Sequence, residues 1–235
     1  MTGPAYVVMG VDEAQDGGAN LGTSCDLGRS SQPGERALSR RTREVVPGYA
    51  GARGGSGMKA MVVYESMFGN TEEVARAVAA GLSGHVSTYV VRAGDELSDL
   101  DQEIDLVVFG GPTHAFSMSR PKTREDAVRQ GAPPAFARRG IREFLGGSRA
   151  QTWRGPVATF DTRVAKVRHM PGSAARKAAA VARRQGHRLV AEPVSFYVAD
   201  THGPLLSGEL QRAREWGDRL GVAVEERARA HGSVP

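Results

Sequence analysis

From Met58 onward the chain reads as an α/β protein: a doubly wound, three-layer sandwich on a five-stranded parallel sheet. Three observations predict it. Short apolar runs alternate with segments of helical period along the whole stretch. The first run, Ala60 to Tyr64, has no polar side in its alternation, the mark of a strand covered on both faces. It stops at a short hydroxyl- and glycine-containing loop, Glu65 to Thr71, that opens straight into a helix.

The elements follow in order. Thr71 to Leu82 carries Val74, Val78 and Leu82 on one helical stripe, and Gly84 ends it. Val86 to Val91 is a second strand, rich in β-branched residues, and Ile104 to Phe109 a third. Ser119-Arg120-Pro121 starts a short helix running to Gln130, with Pro133-Pro134 as its stop. Ile141 to Leu145 is the core of another helix, and Val157 to Phe160 a fourth strand. Ser173 to Gln185 is an alanine- and arginine-rich helix. Leu189 to Ala199, interrupted at Pro193, holds the last strand. Ser207 to about Ala230 closes the chain as a helix with Leu210, Trp216, Leu220 and Val224 inward. Right-handed crossovers then put helices on both faces of the sheet.

The chain divides into a leading segment, 1–57, and a folded domain, 58–235. The first holds 12 of the 30 glycines and has no sustained period of 3.6 or 2, so it is expected to be disordered. Met58-Lys59 reads as a natural start, which makes the preceding residues either a linker or sequence translated upstream of the true initiation site.

The lone cysteine, Cys25, cannot form an internal disulfide, a cluster of thiolate-held iron or a cysteine-rich zinc site. The histidines show no metal-ligand spacing, so redox chemistry falls to an organic cofactor. No apolar run of about 18 residues spans a membrane and no secretory start is visible, so the cytoplasm is the expected location. The net charge of +5 resides entirely in the folded part. No aromatic–basic interleaving or nucleic-acid motif accompanies it, so it reads as solvated surface charge. The most basic stretch is the insertion Arg120 to Arg139. No G-x-S-x-G elbow or G-K-S/T loop supports a hydrolase or nucleoside triphosphatase.

In doubly wound sheets ligands sit beyond the carboxyl ends of the strands. Three loops therefore converge: Glu65–Thr71, Gly110–Ser119 and Asp161–Val164. The first is an anion site by construction, because the opening amides of a helix lack internal partners and its dipole adds partial positive charge. Ser66, Asn70 and Thr71 add polar side chains. Glu72 and Glu73 oppose a nearby dianion unless they turn away from it.

These loops resemble those of the flavodoxin superfamily. Its first-loop pattern is hydroxyl, any residue, threonine, glycine, any residue, threonine. Here it reads Ser66-Met67-Phe68-Gly69-Asn70-Thr71, with Phe68 in place of the middle threonine. Gly110-Gly111-Pro112-Thr113-His114 looks like the second ligand loop, and Thr159-Phe160-Asp161-Thr162-Arg163 stands where the third would be. The resemblance implies a flavodoxin-like fold that binds FMN without covalent attachment. The phosphate would be held at Ser66 to Thr71. The ring would lie along Pro112, Thr113 and His114, with Phe116 as a stacking candidate, and Asp161, Thr162 and Arg163 would line the cofactor edge. The hydrogen bond that Phe68 cannot make is worth about 1 kcal/mol, roughly fivefold in affinity.

Two functional classes follow, electron carrier and FMN-dependent oxidoreductase; a flavin-free interaction module is the alternative. A basic chain repels the basic reductases on which acidic carriers dock. The basic insertion would draw NAD(P)H or an anionic substrate in the oxidoreductase. No side chain stands out as a catalytic acid or base. Positive charge around the ring favours the reduced flavin.

Overall fold

The structure is a computed structural model and describes residues 44–45, 57–95, 104–147 and 153–232, all within one compact unit, Leu38–Pro235. In chain order the elements are β1 (Glu44–Val45), β2 (Lys59–Tyr64), α1 (Asn70–Leu82), β3 (Ser87–Arg92), β4 (Leu106–His114), β5 (Ser117–Met118), α2 (Pro121–Arg129), α3 (Ile141–Gly146), β6 (Pro156–Val164), α4 (Ala174–Arg184), β7 (Arg188–Leu189), β8 (Val194–Val198) and α5 (Glu209–Gly232). Within the leading segment expected to lack structure, Glu44 and Val45 pair antiparallel with Val90 and Tyr89; the rest of that segment lies outside the described residues.

Five parallel strands form the sheet in the order β3-β2-β4-β6-β8. The chain leaves β2 on one side to make β3, then crosses back to make β4, so the switch of direction falls at the carboxyl end of β2. The break expected at Pro193 is present: β7 pairs with the start of β6, β8 with its end.

Alternation along the strands fills both faces. Ala60, Val62 and Tyr64 join α1 and α5 in one core, with Phe160, Phe196 and Trp216 meeting edge-on. Met61 and Val63 join α3 and α4 in the other. The buried residues of α4 are all alanines, which lets that helix lie close to the sheet. The helix α5 departs from expectation at one residue. Its inner stripe starts at Ala213, and Leu210 remains 42% exposed, because its first turn engages the β8 edge through Glu209 and Arg212 instead.

Two glycines let α1 and α5 touch backbone to backbone. A Cβ on Gly81 would lie 2.0 Å from the Arg214 carbonyl oxygen, and one on Gly217 would lie 2.1 Å from that of Val78. The outer edge of β8 is capped as well. Arg212 donates to the Ser195 carbonyl (2.6 Å), the Tyr197 amide donates to Glu209 (2.9 Å), and the Leu206 amide donates to the Tyr197 carbonyl (2.9 Å). Among the described residues no helix is long and apolar enough to cross a membrane.

Candidate functional site

The first strand ends in a turn set by its own residues. The Glu65 amide donates to the Gly110 carbonyl (2.9 Å), so β2 and β4 run together to the lip of the crevice. Gly69 then sits at φ +92°, a left-handed conformation that side chains resist, and its amide donates to Ser66 Oγ (3.1 Å). The carbonyl of Gly69 receives the first helical bond of α1, from Glu73. No side chain caps α1, and the amides of Asn70, Thr71 and Glu72 meet no acceptor among the described residues. The amides of Met67 and Phe68 meet none either. Five donors without an acceptor thus lie in the turn and the first helical residues, at the positive end of a helix dipole.

Glu72 does not disturb this cradle. Its carboxylate turns to Arg76 (2.9 Å) and Arg92 (3.0 Å), and Glu73 is exposed. The Thr71 and Thr162 hydroxyls lie 2.7 Å apart and buried, tying the first loop to the end of β6. Only one of the two protons is used in that bond, so the pair retains a donor.

Beside the cradle lies a cleft of about 290 Å³. Most of the residues expected at the site line it: Ser66, Met67, Phe68, Asn70 and Thr71 from the first loop, Pro112, Thr113 and His114 from the second, Thr162 and Arg163 from the third. Gly69, Phe116 and Asp161 do not. Gly69 shapes the turn instead. Ala115 and Phe116 have φ of +46° and +60° at the tip of the β4–β5 hairpin, which carries the Phe116 ring outward to 42% exposure. Asp161 is fully buried and holds α4: Oδ2 accepts from the Ala175 amide (2.9 Å) and from Thr113 Oγ1 (3.0 Å), which itself accepts from the Ala174 amide (2.8 Å). The Thr113 proton is therefore committed to Asp161.

The side chain at position 68 has a structural task. The Phe68 ring packs on His202 with centroids 4.2 Å apart and joins Met67, Ala127, Ala132 and Phe136 in a small apolar cluster. That cluster fastens the first loop to the insertion.

The insertion is held from within. Arg124 is buried and donates to the Ala137 carbonyl (3.0 Å) and to Ser119 Oγ (2.8 Å), and it pairs with Glu143 (3.1 Å). Glu65 accepts from the Ile141 amide (2.9 Å) across the same layer. Burial pushes the Glu65 carboxyl up, against the opposing pull of Ser119, the Ile141 amide and Arg124. Burial pushes Glu143 up too, but its bond from the Gly140 amide and the Arg124 charge outweigh this and hold it low. Burial and Arg124 both push the His114 imidazole down, only partly offset by a backbone bond to Thr123, so it stands in the cleft as a neutral ring near pH 7. Arg124 is sequestered and Arg129 pairs with Asp126, so two of the six basic side chains of the insertion are held within the fold.

One wall of the cleft went unforeseen: Thr123, Asp126 and Ala127 of α2 and Gln130 at its carboxyl end, at i, i+3, i+4 and i+7. That spacing was the signal available. A second contribution comes from Val198 at the end of β8 and Thr201 in the loop after it. A Cβ on Gly203 of this loop would lie 2.4 Å from Asn70 Oδ1, and His202 contacts the Gln130 carbonyl (3.3 Å). Being at a strand's carboxyl end, that loop was a candidate by the same rule as the other three.

No protein-family model matches the sequence, and no curated protein matches it. Solved structures do. The chain is similar to a flavodoxin from the domain Archaea with a TM-score of 0.54 at 21% identity, over 72% of this chain and 99% of that one. It is similar to the flavodoxin of Streptococcus pneumoniae TIGR4 with a TM-score of 0.50 at 15% identity, over 70% and 98%. The fold is flavodoxin-like.

Proposed function

We propose that the chain binds FMN without a covalent link and serves as an FMN-dependent oxidoreductase, with the electron carrier as the second reading. The observation that carries this reading is the cradle: five amides without acceptors, at the amino end of α1, opening on a cleft at the sheet's switch point. The phosphate would be held by these amides with Ser66 and the Thr71–Thr162 hydroxyl pair, without any lysine or arginine in the loop itself. The ring would lie between the Pro112–His114 and Thr162–Arg163 segments. Bound there, FMN supplies the capacity to accept and release electrons. The protein holds and orients it, and the neutral His114 presents a flat face without added charge. At about 290 Å³ the cleft lies just below the usual span of organic ligand sites, roughly 300–1,000 Å³. A mononucleotide there keeps one edge in solvent, where a donor or acceptor can approach.

Calorimetry decides the matter. Riboflavin 5′-phosphate should bind at least about 100-fold more tightly than riboflavin, since several charge-assisted hydrogen bonds are made only by the phosphate. Gly69→Val should erase that preference. No heat with either ligand overturns the proposal and leaves the flavin-free module; equal affinity for both overturns the phosphate cradle that carries it. The basic charge favours the oxidoreductase over the carrier, and oxidation of NADPH or NADH with a quinone by the FMN-loaded protein tests that choice.

A further inference from the structure

We propose that a second cavity beside β6 and β8 is a binding site for a phosphate-class oxyanion. The cavity measures about 410 Å³, and its charged lining is entirely cationic: Arg163, Arg168 and Arg176, with His169 beside them. The Ser195 and Tyr197 side chains complete it with hydroxyl groups. No carboxylate lines it, and Glu209, which approaches through the Tyr197 amide, is already neutralised by Arg212.

Three features of the cations point to a missing counter-charge. Arg163 is 7% exposed, and its Nε has no partner. Its Nη2 donates to the carbonyls of Val167 (2.6 Å) and Met170 (3.2 Å), which fix the guanidinium without balancing its charge. A desolvated cation in that state is costly. Arg168 makes its one described side-chain bond to His169, and Arg176 makes none. Arg176 also stands in the first turn of α4, where the dipole disfavours a cation and no acidic residue compensates. The turn after β6 wraps Arg163 and brings Arg168 and His169 to the same cavity, so the fold itself assembles the cluster. Guanidinium forks match phosphate oxygens in pairs, and three of them around one cavity suit a multiply charged oxyanion.

Arg163 borders both this cavity and the cleft, but Arg168 and Arg176 line this cavity and not the cleft, so variants at those two test the site without FMN. The test is calorimetry of the full chain with inorganic phosphate in low-chloride buffer, on the wild type, on the double variant Arg168→Ala/Arg176→Ala and on Thr71→Val. Both arginines are exposed, and circular dichroism should show an unchanged fold. The wild type should bind phosphate saturably, the double variant at least about tenfold more weakly, and Thr71→Val with this affinity retained. Adenosine 2′,5′-bisphosphate separates the sources. Binding about tenfold tighter than inorganic phosphate identifies a phosphate carried on a nucleotide, and equal binding identifies the free ion; both support the site. Absence of saturable binding, an unaffected double variant, or loss confined to Thr71→Val overturns the proposal.

Discussion

At position 68 a ring occupies the place where the flavodoxin pattern has a hydroxyl, and its contacts account for the exchange. Phe68 joins the first loop to α2 and, through His202, to the loop after β8. Replacement by threonine therefore trades packing for a donor. Phe68→Thr should lower stability by about 1–2 kcal/mol for a half-buried ring, measured by denaturant unfolding, while improving phosphate affinity by no more than about fivefold. Glu65 and Glu143 act oppositely on pH dependence. Glu143 is held below its ordinary value of 4.5, so it adds stability above that pH that is lost as acid protonates the folded state. Glu65 is raised above 4.5, so its contribution is complete below that pH and is lost as pH rises through the folded value. Glu65→Gln keeps an oxygen for the Ile141 amide and removes the second dependence. Unfolding curves from about pH 5 to about pH 8 should then be flatter than the wild type's, with equal or higher stability at the upper end. A steeper fall on the variant's alkaline side contradicts this assignment.

Among the elements, the α1–α5 pair shows how local preference yields to packing. Glycine inside a helix costs about 1 kcal/mol against alanine, yet at Gly217 the alanine methyl would press on the Val78 carbonyl, which is main chain and cannot swing aside. Gly217→Ala should therefore destabilise by about 3 kcal/mol instead of stabilising, as a drop in thermal midpoint would show. The same contrast explains what could be read in advance. Strands such as Ala60–Tyr64 and helices such as α1 announce themselves because burial imposes a period on their own residues. The cradle was legible too, since Ser66, Gly69 and Thr71 meet a local requirement of turn and helix end. Exposed Leu210 was not, because helical phase says which side faces inward and not where the sheet beneath ends. The α2 wall and the His202 contact were not, because both depend on how a non-periodic loop folds back in space. The outward turn of Phe116 follows from positive φ at two consecutive non-glycine residues, which no local propensity announces.

For the molecule as a whole, the charge of +5 is distributed unequally with respect to chemistry. The cleft has one cation in its lining, Arg163, against an aspartate already paired to Arg129. Bound FMN should therefore be easier to reduce than in a strongly acidic flavodoxin, as dye-referenced photoreduction would measure; a potential as low as such a carrier's contradicts it. The capped margin of β8 has a further consequence. An open ladder of peptide groups invites a neighbouring molecule to extend it, and this one offers little room, with Arg212, Glu209 and the Leu206 amide already seated on three of its rungs. On the opposite flank the two-residue β1 runs against β3. Polymerisation by strand addition is thereby discouraged at both rims, and crowding many copies together need not end in fibres.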